Sequence, residues 1–471
     1  MNPTSVLRHS HIFGFLLMML TLSASVHAQS GPKPSYPVKL SADGSYLVDQ
    51  NNRPFFINGD SAWSLIAQLS GADADQYLSD RAAKGFNVVL ASLIEHEFAS
   101  NAPSNFTGDA PFTTPGDFST PNEAYFAHAD WVISTAAQRG ITILLDPLYL
   151  GYGCGGEGWC SEVKAASVTT MRNWGRYVGN RYKTFPNIIW LIGGDTDPVA
   201  NGVDTKVREF VAGIQDMDTT HLFSAHNAPE QSAMDVWLNE PWLNLNNVYT
   251  YQNTWPVALT QYNRANAKPF FLVETAYENS NGSTPLSLRR QAYWTVLSGG
   301  VAGHLFGNCP IWDFSAPAGA GFCPTVANWQ PQLASAGSTT LPLVGRLFTS
   351  RAFFKLVPDQ THQVLTNGYQ SGDTYAAAAR ANDGSTLIAY IPTQRTVTVD
   401  LSKIAGSSAT AWWFDPQTAN TTLIGTFNTS GMKDFTPTTS DDWVLVIDNA
   451  SLQLPPPGMR LPPPTNLRVV N

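Results

Sequence analysis

The stretch NIIWLIGGDTDP, residues 187–198, joins five consecutive apolar residues to two glycines and then to two aspartates within three positions. An apolar run of this length, bounded by glycine, reads as a strand buried on both faces, the pattern of a parallel sheet covered by helices. It ends in carboxylates where the glycines Gly193 and Gly194 leave no side-chain bulk, so a ligand could come close to the backbone. A tight turn that caps a following helix is the plain alternative, and it suits Asp197 better than Asp195.

Similar β-rich runs recur at 55–58, 86–90, 141–145, 221–225, 247–250, 270–273 and 302–306, making eight with 188–192. The stretches between them have helical periodicity. Val168, Met171, Trp174, Val178 and Tyr182, for example, step by three or four residues and predict one buried stripe. Eight strands alternating with helices imply parallel pairing with right-handed crossovers, so the expected fold is α/β, a (β/α)8 TIM barrel. A doubly wound open sheet is the alternative, but the first strand lacks a Gly-rich dinucleotide-type turn. The barrel is entered through a hairpin over residues 38–58.

Composition shifts after Pro342. Residues 343–357 still read as helical, but from Val364 apolar and polar residues alternate around turns such as Ala381-Asn382-Asp383-Gly384. That predicts a small antiparallel β-sandwich ending near Asp448. The expected division is a signal peptide at 1–28, the barrel at 29–341, the β domain at 342–449 and a Pro-rich tail at 450–471.

At the N-terminus, Arg8 precedes an apolar stretch (12–22) and the small-residue sequence ending at Ala28. This reads as a secretory signal cleaved after Ala28, hence a secreted or periplasmic protein. No other run approaches the ~20 apolar residues of a membrane span. A formal charge of −9, few charged residues and fourteen tryptophans argue against nucleic acid or an anionic membrane as partner, and suit a carbohydrate. The four cysteines form two close pairs in loop-like sequence, read as disulfides Cys154–Cys160 and Cys309–Cys323. Zinc ligation is the minor alternative, since the spacings and histidines it favours are missing.

A barrel of this kind carries its active site at the C-terminal ends of the strands. There the sequence places Asp60 with Trp63, His96, Asp146 with Tyr149, Asp195 with Asp197, His226 with Asn227, Tyr251, Glu274 with Tyr277 and Glu278, and Asn308 with Trp312. Each alone could be a cap, a satisfied core histidine or a packing ring; their coincidence across strands points to a site. Asp195 and Glu274 end the fourth and seventh strands, which face each other across a barrel mouth. Two carboxylates so placed are what glycosidic cleavage needs, one to protonate the leaving oxygen and one to attack or stabilise the anomeric carbon. The acid of the pair would need a raised pKa. Asp60, His96, Asp146, His226, Tyr251, Tyr277, Glu278 and Asn308 are candidates for holding sugar hydroxyls, with Trp63, Tyr149 and Trp312 as stacking platforms.

A metal-dependent hydrolase using Asp60, Asp146, His226 and His304 is a rival, although no His-x-His or His-Glu-x-x-His motif announces it. The expectation is therefore no metal and no cofactor. Serine catalysis lacks its Gly-x-Ser-x-Gly elbow, and GYGCGGEGWC lacks the Lys-Ser/Thr of a phosphate cradle. A non-catalytic carbohydrate-binding or cell-surface protein on a barrel scaffold would use the same aromatic and polar rim.

With these residues in view, the chain resembles the apiosidase-like glycoside hydrolases of family 140. The motifs that carry the likeness are YLVDQNNRPFFINGDSAWSL, GFNVV, NIIWLIGGDTDP, KPFFLVETAYEN and, in the β domain, AWWFDPQTAN. The resemblance implies an exported enzyme that acts on a polysaccharide, with Asp195 as general acid/base and Glu274 as nucleophile. Its terminal domain is of the type labelled collagen-binding. Where the wider clan has Asn-Glu after the fourth strand, this chain has Gly194-Asp195, one methylene shorter in reach. Carboxylates about 5–5.5 Å apart would mean retention of configuration, and about 6.5 Å or more inversion. Glu278 is the alternative nucleophile if the seventh strand ends later.

Overall fold

The computed structural model describes residues 1, 33–280, 282–316, 323 and 326–459. The signal-peptide reading and most of the Pro-rich tail lie outside the described residues. No helix among them is long and apolar enough to cross a membrane.

Eight strands, β1 (Ile57–Ser61), β2 (Val88–Ser92), β3 (Thr142–Asp146), β4 (Ile188–Gly193), β5 (Phe223–His226), β6 (Asn246–Tyr249), β7 (Phe270–Glu274) and β8 (Gly303–Gly307), form one parallel sheet. Their order is 5-4-3-2-1-8-7-6, with β8 paired in register to β1. Among the described residues no regular ladder joins β5 to β6. There the backbone amides of Asn244 and Leu245 both donate to the Phe223 carbonyl, and the Asn247 amide side chain donates to the Ala225 carbonyl at 2.5 Å. Side-chain amides thus replace part of the ladder, and the TIM-like barrel is nearly closed. Several strands lie one or two residues later than the sequence reading put them. In consequence Asp60, Asp146, His226 and Glu274 stand within strands rather than beyond them.

The apolar runs are continuous because each strand has two buried faces. Leu90, Leu144, Leu191 and Val273 point into the barrel, while Val89, Ile143, Trp190 and Ile192 pack outward against the helices. Met171, Trp174, Val178 and Tyr182 form the expected buried stripe of the helix Val168–Tyr182, but Val168 at its start is exposed. A short hairpin sheet (Lys39–Leu40, Leu47–Val48, Pro54–Phe55) precedes β1.

The C-terminal part folds as a six-stranded and a three-stranded antiparallel sheet. Leu387, Ala389, Leu445 and Ile447 on one face of the larger sheet meet Leu365, Val397, Val399 and Phe435 of the smaller. Its other face, with Ile388, Tyr390, Val444 and Val446, packs against Tyr293, Trp294 and Leu297 of the helix Pro285–Leu297 that follows β7. Arg289 from that helix makes two bonds to Asp442, at 2.8 and 2.7 Å, and Arg351 pairs with Asp448 at 2.8 Å, both buried. The Tyr293 and Tyr390 rings stack at 4.6 Å. The β domain therefore shares a core with the barrel.

Candidate active site

Asp195 leaves β4 in the left-handed region at φ 54°, after Gly193 and Gly194 at φ 103° and 138°. Contrary to the sequence reading, the glycines make room for protein rather than for sugar. A Cβ on Gly194 would lie 2.2 Å from the Tyr149 ring, and one on Gly193 would lie 2.8 Å from the His226 carbonyl oxygen. This close approach brings Tyr149 to Asp195: its phenol donates to Oδ2 at 2.8 Å, and the Tyr249 phenol donates to Oδ1 at 2.7 Å. Asp197 caps a turn, accepting from the amides of Val199 and Ala200, rather than the helix that follows, Asp204–Gln215, which starts after Val203 with no side-chain cap.

Glu274 is the last residue of β7. The register with β6 slips between Leu272 and Glu274, which sets Glu274 opposite Tyr249; such irregularities re-aim a side chain at a strand end. Its Oε2 lies 3.0 Å from His226 Nε2, while the Tyr277 hydroxyl, in the same cavity wall, accepts the Trp63 indole N–H at 2.9 Å. Burial, and after it the charge of Asp195, pushes the Glu274 carboxyl up to about 7 despite the opposing His226 bond.

His226 lies wholly buried between the two. Its Nδ1 accepts the Asp195 backbone N–H at 3.3 Å and stands 3.8 Å from Asp195 Oδ1. Burial opposes its cation, but the Glu274 hydrogen bond and the charges of Asp195, Glu274 and Asp146 outweigh burial, and its pKa is raised. One donor atom from each of Asp195, His226 and Glu274 falls within a mutual 4.8 Å, a spacing from which a metal could be approached. Because His226 directs a different nitrogen to each carboxylate, a single ion could not take over both contacts. The rival ligand set does not converge: Asp60 is bound elsewhere, and His304 is buried against Phe56.

A cavity of about 420 Å³ opens over the pair, lined by Trp63, Glu95, Tyr149, Tyr251, Tyr277 and Trp312 among others. It falls within the ~300–1,000 Å³ range usual for small-molecule sites. Other expected sugar contacts stand elsewhere. Asp60 points to the outer face of β1 and pairs with Arg81 at 2.5 Å and with the Tyr77 hydroxyl at 2.7 Å. His96 packs its ring on Trp159 beside Glu162 and is not among the residues lining the cavity. Asp146 is buried beneath the site, accepting from the Leu148 amide, with its pKa raised well above the carboxylate range by burial. Glu278 accepts from the Asn308 side chain at 2.9 Å and from the Gly337 amide at 2.8 Å, so both hold a loop together. Glu274, unlike Glu278, lines the cavity.

Sequence reasoning missed Tyr249, Glu95, Phe98, Tyr152 and Glu157, all in the lining. Tyr249 carried a signal, being two residues before Tyr251 on the same face of an extended chain; their hydroxyls are 3.2 Å apart. The others sit in loops. Both expected disulfides are present. Cys154–Cys160 pins the loop that carries Tyr152 and Glu157, and Cys309–Cys323 forms part of the cavity wall.

Comparison with known proteins agrees with this geometry. The sequence profile of an "Apiosidase-like, catalytic domain" matches residues 41–355, and that of a "Putative collagen-binding domain of a collagenase" matches residues 357–448. Among solved structures, one named "Glycoside hydrolase" is 26% identical with a TM-score of 0.77, covering 88% of this chain and 97% of that one. A glycoside hydrolase family 5 protein from Bacteroides vulgatus ATCC 8482, 24% identical, also has a TM-score of 0.77, over 88% of this chain and 94% of its own, and shares the fold. No curated protein sequence matches significantly.

Proposed function

This chain belongs to the apiosidase-like family, and on that premise we propose that it is an exported glycoside hydrolase cleaving a polysaccharide by double displacement. The observation that carries the reading is the approach of Asp195 and Glu274 oxygens to within 4.8 Å beside a sugar-sized cavity. Asp195 protonates the glycosidic oxygen while Glu274 attacks the anomeric carbon, giving a glycosyl-enzyme. Asp195 then takes a proton from the water that displaces Glu274. Proximity of this order supports the retaining course, because inversion needs room for a water between the carboxylates, at about 6.5 Å or more. Phenols of Tyr149 and Tyr249 hold Asp195 in place.

The lining also favours a substrate class. It contains Glu157 beside Asp195 and, among the described residues, no lysine or arginine, so an anionic sugar would meet like charge with no cation to pair with. Trp63, Phe98, Tyr149 and Trp312 offer apolar surface to a ring. We read the substrate as a neutral sugar at a chain end or side branch, with apiose on pectic side chains the first to try. Two disulfides support export to an oxidising compartment. The test is a screen of sugars released from pectic, hemicellulosic and bacterial polysaccharides by the wild type and by Asp195→Asn. Release by the wild type alone is expected, and no release from any polymer would contradict the reading.

A further inference from the structure

Resting on the roles just given to Asp195 and Glu274, we propose that His226 is a proton relay between them, accepting a proton from Glu274 at Nε2 and passing one to Asp195 from Nδ1. The geometry is specific. The imidazole is buried, outside the cavity lining, with Nε2 3.0 Å from Glu274 Oε2 and Nδ1 3.8 Å from Asp195 Oδ1. The edge of Trp63 at 5.3 Å and the ring of Tyr249 at 4.8 Å fix its plane. The titratable groups that face it are Asp195 from the end of β4, Glu274 from β7, Asp146 from β3 and the Tyr249 phenol from β6.

A relay answers a specific difficulty. Burial holds a proton on Glu274 up to about pH 7, yet a nucleophile must be bare and the proton belongs on the acid. In the transfer the Glu274 Oε2–H bond breaks as Nε2–H forms, and Nδ1–H breaks as Asp195 Oδ1–H forms. The imidazole is neutral before and after, having changed tautomer, and one proton has moved from Glu274 to Asp195 without crossing the cavity. Closing the 3.8 Å gap to a hydrogen bond needs a shift of about 1 Å in the Asp195 carboxylate. After transfer the freed Nδ1 accepts the Asp195 amide, the contact observed at 3.3 Å.

His226→Gln tests this, because its amide can still donate to Glu274 but cannot exchange a proton. The substrates are the methyl and 2,4-dinitrophenyl glycosides of whichever sugar the wild type releases. On the methyl glycoside, whose departure needs an acid, kcat/KM should fall by about 10²-fold or more at every pH. On the dinitrophenyl glycoside, which needs none, it should recover to within about tenfold of wild type above about pH 8, where solvent strips Glu274. Equal losses on both substrates at all pH, or no loss on either, would overturn the relay alone. A wild type that releases no sugar from any polymer would overturn the parent reading and the relay together. A substrate-free check is ¹⁵N spectroscopy of the imidazoles. The His226 tautomer should change across about pH 6–9 in the wild type and not in Glu274→Gln, and a tautomer fixed over that range would also overturn the relay.

Discussion

Asp195 and Glu274 bring carboxylate oxygens to within 4.8 Å of each other across the barrel mouth, with the His226 ring lodged between them. Neither group is surplus to such a pair. Asp195→Asn and Glu274→Gln should each lower kcat by about 10²- to 10⁴-fold or more while circular dichroism stays that of the wild type. Rates near wild type in either variant would dismiss its assigned role.

The same burial that serves catalysis costs stability. The folded-state pKa of Glu274 is raised from 4.5 to about 7. Its contribution to stability is therefore full below 4.5 and is lost as pH rises through 7, because ionising it in the fold is unfavourable. Glu274→Gln, which cannot ionise, should melt at a higher temperature than the wild type at about pH 8, and the advantage should shrink towards about pH 5. A difference in melting temperature independent of pH would contradict this.

The β domain is joined to the helix after β7 by the buried Arg289–Asp442 pair, whose acid also accepts from the Tyr390 hydroxyl at 2.9 Å. Asp442→Ala strands the Arg289 cation, and should cost about 3–5 kcal/mol in chemical denaturation. Wild type and variant should each unfold in a single transition. Separate barrel and β-domain transitions would show the shared core to be energetically unimportant.

Eight parallel strands were legible because each is an unbroken apolar run. The same continuity hid which way each side chain points: in INGDS, residues 57–61, nothing apolar marks Asp60 as outward-facing, and only the partner Arg81 on the next helix decides it. Asp195 and Glu274 were legible from their places directly after the runs IIWLIGG and FFLV. His226 was legible as a member of the site, but its place between the two carboxylates was not, since that depends on a strand register that local sequence does not encode. Glu95 and Glu157 arrive from loops whose paths are set by long-range contacts, including the Cys154–Cys160 bridge.

A lining that carries Asp195 and Glu157 and, among the described residues, no lysine or arginine should discriminate by charge. Among glycosides with one leaving group, kcat/KM for a neutral sugar should exceed that for the corresponding uronide by about tenfold or more, a gap of about 1.4 kcal/mol. The gap should narrow in Glu157→Gln. Preference for the uronide would contradict the proposed substrate class.

The central claim is that Glu274 attacks sugar carbon while Asp195 supplies the proton. It is tested most directly by incubating the wild type with a 2-deoxy-2-fluoro dinitrophenyl glycoside of the sugar it releases, then locating the adduct by peptide mass spectrometry. An adduct on Glu274, absent from Glu274→Gln, is the predicted result. An adduct on Asp195 or any other residue, or sustained turnover with no adduct, would contradict it.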